Sequence, residues 1–233
     1  MIFEQIPIGP MQNFSYLIAD EESKEAAVVD PGWEIEKISE IAKKHDLNIK
    51  FILITHSHYD HIDKVKEIAD ATDATVYVHK EDLDEIKNKG VDKIKTIGEN
   101  DEIYVGKIKV KVLHTPGHSP GSVCYLVGNK LITGDTLFVE NIGRTDLPGG
   151  DPRVIAESLK KLKKLDEKIE RISEIEIKIL RNRANFIRNM DDLLSTDQRA
   201  KLMVFRHRFR DRMENMMREA RKNRQMMNNG IRR

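Results

Sequence analysis

A single cysteine, Cys124, stands in 233 residues, which excludes an internal disulfide framework and fits a reducing compartment. It lies in the strand-like run Ser122-Val-Cys-Tyr-Leu-Val, where a buried small hydrophobe is the plainer reading and a nucleophile the weaker one. No apolar run approaches the roughly 18 residues that span a bilayer. The opening Met1-Ile2-Phe3-Glu4-Gln5 has no basic segment followed by an apolar stretch, so neither a membrane span nor a secretory leader is expected, and the expected location is cytoplasmic.

An excess of charge of one sign is also missing, since the chain sums to +1. That near-neutrality hides a division. Residues 1–152 hold 17 Lys+Arg against 27 Asp+Glu, whereas 153–233 hold 23 against 12. Residues 1–168 contain 21 lysines and 2 arginines, while 169–233 contain 3 and 14, and seven of nine methionines lie at or beyond Met190. Such a change in usage predicts two pieces, 1–165 and 166–233, of separate origin.

The first 150 residues alternate apolar runs with helical patterns. Period and turn chemistry predict strands at Ile2–Ile8, Asn13–Ala19, Ala26–Asp30, Phe51–Thr55, Thr75–His79, Asp101–Val105, Ile108–His114, Ser122–Val127 and Leu131–Thr133. Helical spacing covers Trp33–His45, His61–Ala69 and Lys80–Asn88. Asp30-Pro-Gly, Thr115-Pro-Gly, Ser119-Pro-Gly and Leu147-Pro-Gly-Gly punctuate them. Hairpins mixed with helices imply sheets covered by helices, an α/β (α+β) architecture. Beyond Asp151-Pro152 no strand signal survives. Ile155, Leu159, Leu162, Leu165, Ile169 and Ile172 form one apolar stripe, and Ser195 with Gln198 opens a second helix. The expectation is an α-helical hairpin.

The chemistry concentrates in Thr55-His56-Ser57-His58-Tyr59-Asp60-His61, directly after the apolar run Phe51-Ile52-Leu53-Ile54. Three imidazoles and a carboxylate in six residues are the ligand types that zinc and iron accept, and a strand end gives them a rigid base. Further segments join them: Val28-Val29-Asp30-Pro31-Gly32, His114-Thr-Pro-Gly-His118-Ser-Pro-Gly-Ser122, Thr133-Gly-Asp135-Thr-Leu-Phe138, and Gly143-Arg144-Thr-Asp-Leu-Pro-Gly-Gly150. Ligands at successive strand ends, separated by tight turns, let a sheet gather distant residues round one ion.

At these motifs the chain resembles the metallo-β-lactamase superfamily over residues 1 to about 165, and within it the hydroxyacylglutathione hydrolase-like (glyoxalase II-like) branch. The resemblance implies an αββα sandwich with a metal centre at one edge of its sheets. It implies that His56, His58 and His118 hold a first metal, that Asp60 and His61 hold a second, and that Asp135 bridges the two. Asp30 would steady the histidine loop from behind. Asp60 and Asp135 would be the catalytic carboxylates. The implied cofactor is zinc, one or two ions, with iron as the alternative. The implied partner is a small-molecule thioester, hydrolysed through a metal-bound hydroxide.

Arg144 is a candidate substrate contact, weighed against a structural ion pair. His114 reads as structural, while His79 and His45 read as surface or capping residues. Tyr59 packs or borders the cleft.

The family pattern breaks in one place. Its last strand and the turn carrying a final histidine ligand are missing, because Leu159–Asp166 runs on into Glu167-Lys-Ile-Glu-Arg-Ile. Only His207 follows, on an arginine-rich helix. An incomplete second site leaves two other readings open. One is an oxidoreductase like the persulfide dioxygenases, with iron held by His56, His118 and Asp135. The other is a catalytically incomplete fusion whose tail mediates association. That tail, with Leu194-Ser-Thr-Asp-Gln198, resembles the LTxxQ motif of Spy/CpxP-like helical proteins. Its arginines read as a solvated face rather than a nucleic-acid surface, and its helices offer a route to self-association.

Overall fold

Turn residues divide the chain into elements much as the sequence pattern requires. In the computed structural model, residues 1–139, 141–165 and 167 are described. The chain divides into two units, Met1–Ile169 and Glu170–Arg233, and all structural statements concern the first. The expected hairpin of residues 166–233, the LTxxQ segment and His207 lie outside the described residues, as does the expected domain break after residue 165.

Among the described residues, ten strands form two sheets. The first sheet takes β1 (Ile2–Ile8), β2 (Asn13–Ala19), β3 (Glu25–Val29), β4 (Asn48–Leu53), β5 (Thr75–His79) and β6 (Ile94–Ile97) in chain order. The pairs β1/β2 and β2/β3 are antiparallel. The pairs β3/β4, β4/β5 and β5/β6 are parallel and therefore need helical crossovers. Helix α1 (Ile35–Lys44) makes the first crossover. The second uses α2 (Tyr59–Ile62) and α3 (Val65–Thr72). The third uses a 3-10 turn at Lys80–Asp82 followed by α4 (Leu83–Asn88). The second sheet, β7 (Glu102–Val105), β8 (Ile108–His114), β9 (Val123–Val127) and β10 (Lys130–Ile132), is antiparallel and ordered 10-9-8-7.

Alternation along the strands decides which layer each residue joins. On β4 and its extension, Ile52 and Ile54 face the helices α1, α3 and α4, while Leu53 faces Val110, Val112, Val123 and Tyr125 of the second sheet. Leu113 and Cys124 turn to the second sheet's outer face, against Leu162 and Leu165. The layers are helix, sheet, sheet, helix, a mixed α/β sandwich. Residues 152–165 supply the fourth layer as a helix, α5. Asp151 caps it, its Oδ1 accepting from the N–H groups of Arg153 and Val154, and Pro152 occupies the first helical position. Ile155, Ser158 and Leu162 are buried along one face.

The expected helix from His61 to Ala69 is in fact two. The Lys64 N–H turns away to the Pro31 carbonyl at 3.0 Å, and the helix restarts at Val65. Strand β6 was not expected, because Ile94-Lys-Thr-Ile carries lysine and threonine at its centre and only Ile97 is fully buried. His79 departs from the surface reading: it is 3% exposed and its ring stacks on His114 at 4.0 Å. Its capping role holds, since Nδ1 accepts from the Glu81 N–H. His45 likewise caps α1 at its C-terminus. Among the described residues no strand follows β10 apart from an isolated bridge between Leu137 and Ile142, and no helix is long and apolar enough to cross a membrane.

Truncation of Leu53, which is fully buried between the sheets, is expected to cost about 2–5 kcal/mol. A lowered urea midpoint at unchanged slope for Leu53→Ala checks this. Burial first, and the neighbouring His114 second, lower the His79 pKa to about 4, below the ~6.5 of an unfolded chain. Folding therefore excludes a proton that the unfolded state takes up, and the stability present above pH ~6.5 declines as pH falls towards 4. His79→Gln is expected to flatten the pH dependence of the urea midpoint across that window relative to wild type.

Candidate metal centre

The site lies where the parallel strands of the first sheet end and two loops of the second sheet meet them. Strand β3 delivers Asp30, β4 delivers Thr55 to His61, β8 runs into the loop bearing His118, and β10 runs into Asp135. Glycine permits one close approach: a Cβ on Gly32 would overlap the Asp60 carbonyl oxygen, so the Asp30-Pro-Gly turn lies directly against α2.

His56, His58 and His118 converge although up to 62 residues separate them. His118 Nε2 lies 3.2 Å from His56 Nε2 and 2.8 Å from His58 Nδ1. The ring orientations are fixed from behind. His118 Nδ1–H donates to the Arg144 carbonyl at 2.8 Å, which leaves Nε2 as a lone-pair donor. His56 Nδ1 lies 3.1 Å from Thr55 Oγ1, and that hydroxyl donates to Asp30 Oδ2 at 2.6 Å. His56 and His118 thus each present the nitrogen that a metal takes and engage the other with the protein, the arrangement that orients metal-binding histidines. Burial, and then the neighbouring imidazoles His61, His58 and His118, hold His56 well below the usual imidazole range. Burial and His118 lower His58 as well. Neutral, deprotonated imidazoles facing one another are the state a cation requires, so the donor set fits one.

His56, His61 and Asp135 form a second group whose ligand atoms also lie within 4.8 Å of one another. Asp135 stands between the groups, with Oδ1 3.2 Å from His61 Nε2 and Oδ2 3.5 Å from His118 Nε2. Asp30 accepts three hydrogen bonds: from the Thr55 N–H at 2.7 Å, the Thr55 hydroxyl, and His61 Nδ1 at 3.0 Å. Burial opposes a charge on His61, but its bonds to Asp135 and Asp30 outweigh that and raise its pKa to about 10. Asp135 responds in the opposite sense. Burial would raise it, yet the bond to His61 and the charges of His61 and His118 bring its carboxyl below the usual range.

Asp60 sits at the rim of this second group. Its Oδ2 is 3.7 Å from His61 Nε2 and accepts from Asn13 Nδ2 at 2.8 Å. Asn13 Nδ2 also lies 3.3 Å from His61 Nε2. Sequence reasoning missed Asn13, which opens β2 and gives no signal beyond its place at a strand start. It missed Thr55 too, although a hydroxyl beside the first histidine was visible. Arg144 contributes through its carbonyl. Its exposed guanidinium pairs with Asp146 at 2.7 and 2.6 Å. His114 is likewise structural, Nε2–H donating to the Pro120 carbonyl at 2.9 Å. Tyr59 is exposed and packs its ring edge-on against Trp33. Cys124 is fully buried, and burial pushes its thiol up to about 11, which excludes a ready nucleophile.

Residues 8–170 match the family described as the Metallo-beta-lactamase superfamily. The chain is 33% identical to the probable polyketide biosynthesis zinc-dependent hydrolase PksB of Bacillus subtilis, over 65% of this chain and 67% of that protein. It is 31% identical to the hydroxyacylglutathione hydrolase GloC of Haemophilus influenzae, over 69% and 83% of the two chains. Among solved structures it resembles TTHA1623 in a di-iron-bound form, with a TM-score of 0.59 and 34% identity over 68% of this chain and 85% of that one.

Asp30 ties two loops together inside the protein, so its removal leaves the Thr55 donors and His61 Nδ1 unpartnered. Asp30→Ala is expected to lose about 3–5 kcal/mol of stability, read as a lower urea midpoint of the metal-free protein.

Proposed function

The chain belongs to the metallo-β-lactamase superfamily, as a metallo-β-lactamase-fold hydrolase with an incomplete candidate metal site, and on that premise we propose that it hydrolyses thioesters such as hydroxyacylglutathione. The observation that carries the reading is the convergence of His56, His58 and His118, with His56 and His118 each turned in through the nitrogen its partner leaves free, beside the carboxylates of Asp60 and Asp135. Similarity to a hydroxyacylglutathione hydrolase over most of both chains supports the substrate class.

In this reading His56, His58 and His118 hold the metal, and Asp135 lies between that group and His61. Bound there, a divalent cation supplies Lewis acidity and lowers the pKa of water from ~15.7 to about 7. Asp60 Oδ2, fixed by Asn13, is the acceptor placed to hold a proton of the attacking water. Water oxygen bonds to the thioester carbon as one of its protons passes to Asp60, the carbon–sulfur bond breaks, and the sulfur leaves as a thiol by taking up that proton. His118, locked by the Arg144 carbonyl, and His56, locked through Thr55 to Asp30, keep their rings from reorienting during the reaction. No serine or cysteine nucleophile is needed.

Zinc is the proposed metal. Iron is the second reading, and one observation favours it: the His56–His61–Asp135 group shares His56 with the three-imidazole group, which suits a mononuclear centre. Such a centre would suit an oxidoreductase resembling the persulfide dioxygenases, with His56, His118 and Asp135 as its ligands. Metal analysis together with oxygen uptake on glutathione persulfide separates the two. Zinc without oxygen uptake excludes the dioxygenase.

His118→Ala is expected to lose metal and thioesterase activity together, by more than the about 100-fold that changes behind a ligand typically cost. Elemental analysis and S-lactoylglutathione hydrolysis check it; turnover persisting in a metal-free variant would refute the hydrolase reading.

A further inference from the structure

Two loops supply the three imidazoles, and they come from different sheets. Something must fix the distance between them, because Nε2 of His118 has to stay within reach of both His56 and His58. Asp30 does not do this: its bonds go to Thr55 and His61, all on the first sheet's side.

Asp82 occupies that junction. It ends the 3-10 turn after β5 and is 4% exposed. Its Oδ2 accepts from the Ser57 N–H at 2.8 Å, the peptide between His56 and His58. Gly121, three residues beyond His118, lies directly against this carboxylate from the other loop. The fit is tight enough that a Cβ on Gly121 would overlap the Asp82 carboxylate, so glycine is required where the His118 loop meets it. The turn that aims Asp82 is itself capped by His79, whose ring stacks on His114 at the root of the same loop. Ser119 and Ser122 close that loop internally, their hydroxyls 2.7 Å apart.

We infer that Asp82 is a positioning residue for the metal centre: one buried carboxylate, hydrogen-bonded to the Ser57 N–H on one side and packed against Gly121 on the other, that sets the separation between the His56–His58 loop and the His118 loop. Burial raises its carboxyl, and the Ser57 N–H pulls it part of the way back. Asp82 belongs to neither candidate ligand group and acts through the peptides it holds. The inference rests on the metal-centre reading and adds to it a residue outside every ligand motif.

The test is metal binding, read without any substrate. Dissociation constants for Zn²⁺ and Co²⁺ are measured by chelator competition on the full chain, together with the Co²⁺ absorption spectrum and the thermal melt of the metal-free protein. Asp82→Ala is expected to weaken Zn²⁺ binding about 10–100-fold and to alter the Co²⁺ bands, which report ligand geometry rather than fold. Asp82→Asn keeps the shape and one acceptor oxygen, and its affinity is expected to fall below wild type, so it carries the test should the alanine variant not fold. Asp84→Asn, an exposed change two residues away, is expected to match wild type. Wild-type affinity and spectrum in a folded Asp82→Ala or Asp82→Asn protein would overturn the positioning role while leaving the metal centre intact. A wild-type protein that takes up neither ion overturns both.

Discussion

Carboxylates buried behind the imidazoles, rather than the imidazoles themselves, are the constraint on which this site depends. A histidine ring on a loop has two rotatable bonds and two nitrogens, and only one combination presents the right lone pair to a cation. Asp30 removes that freedom for one loop by accepting two bonds from Thr55 and one from His61. The Arg144 carbonyl removes it for His118. Burying such a carboxylate is costly unless several donors meet it, and here the donors are the backbone and side chains of the very loops to be held.

The division of labour between the sheets follows from their hydrogen bonding. The parallel half of the first sheet brings three strand ends, those of β3, β4 and β5, to one edge, so Asp30, His56 and Asp82 come from successive crossovers. The antiparallel second sheet returns its chain by hairpins, and its loops carry His118 and Asp135 to the same edge. Neither sheet alone holds a full donor set. The packing of Leu53 and Val29 against Val112, Val123 and Tyr125 is thus also what brings the ligands together. Tyr125 adds a polar tie across that interface, its hydroxyl donating to the Ile54 carbonyl at 2.8 Å.

Much of this was legible in the sequence because the signals are local. Four strands, Ile2–Ile8, Asn13–Ala19, Thr75–His79 and Ile108–His114, have the bounds that alternation and the flanking turns imply. The chemistry-bearing side chains stand out by type, since few other roles require three imidazoles and a carboxylate within six residues. What stayed hidden acts at a distance. Asn13 reaches Asp60 across 47 residues and Asp82 reaches Ser57 across 25, and nothing near either marks it. At Arg144 the carbonyl, a group present at every residue, holds His118, a role that no side-chain signal could mark. The break at Lys64 was invisible for the same reason: periodicity continues through it, and only the Pro31 carbonyl diverts its N–H.

The donor set is divided unequally along the chain, and that has a consequence for synthesis. His56, His58, Asp60 and His61 leave the ribosome almost together, whereas His118 follows His58 by 60 residues. A nascent chain therefore exposes a loose, partial chelator well before β8 and β9 exist to complete it. The complete candidate donor set therefore exists only in the finished sandwich, once the second sheet has closed on the first, and not in the emerging polypeptide.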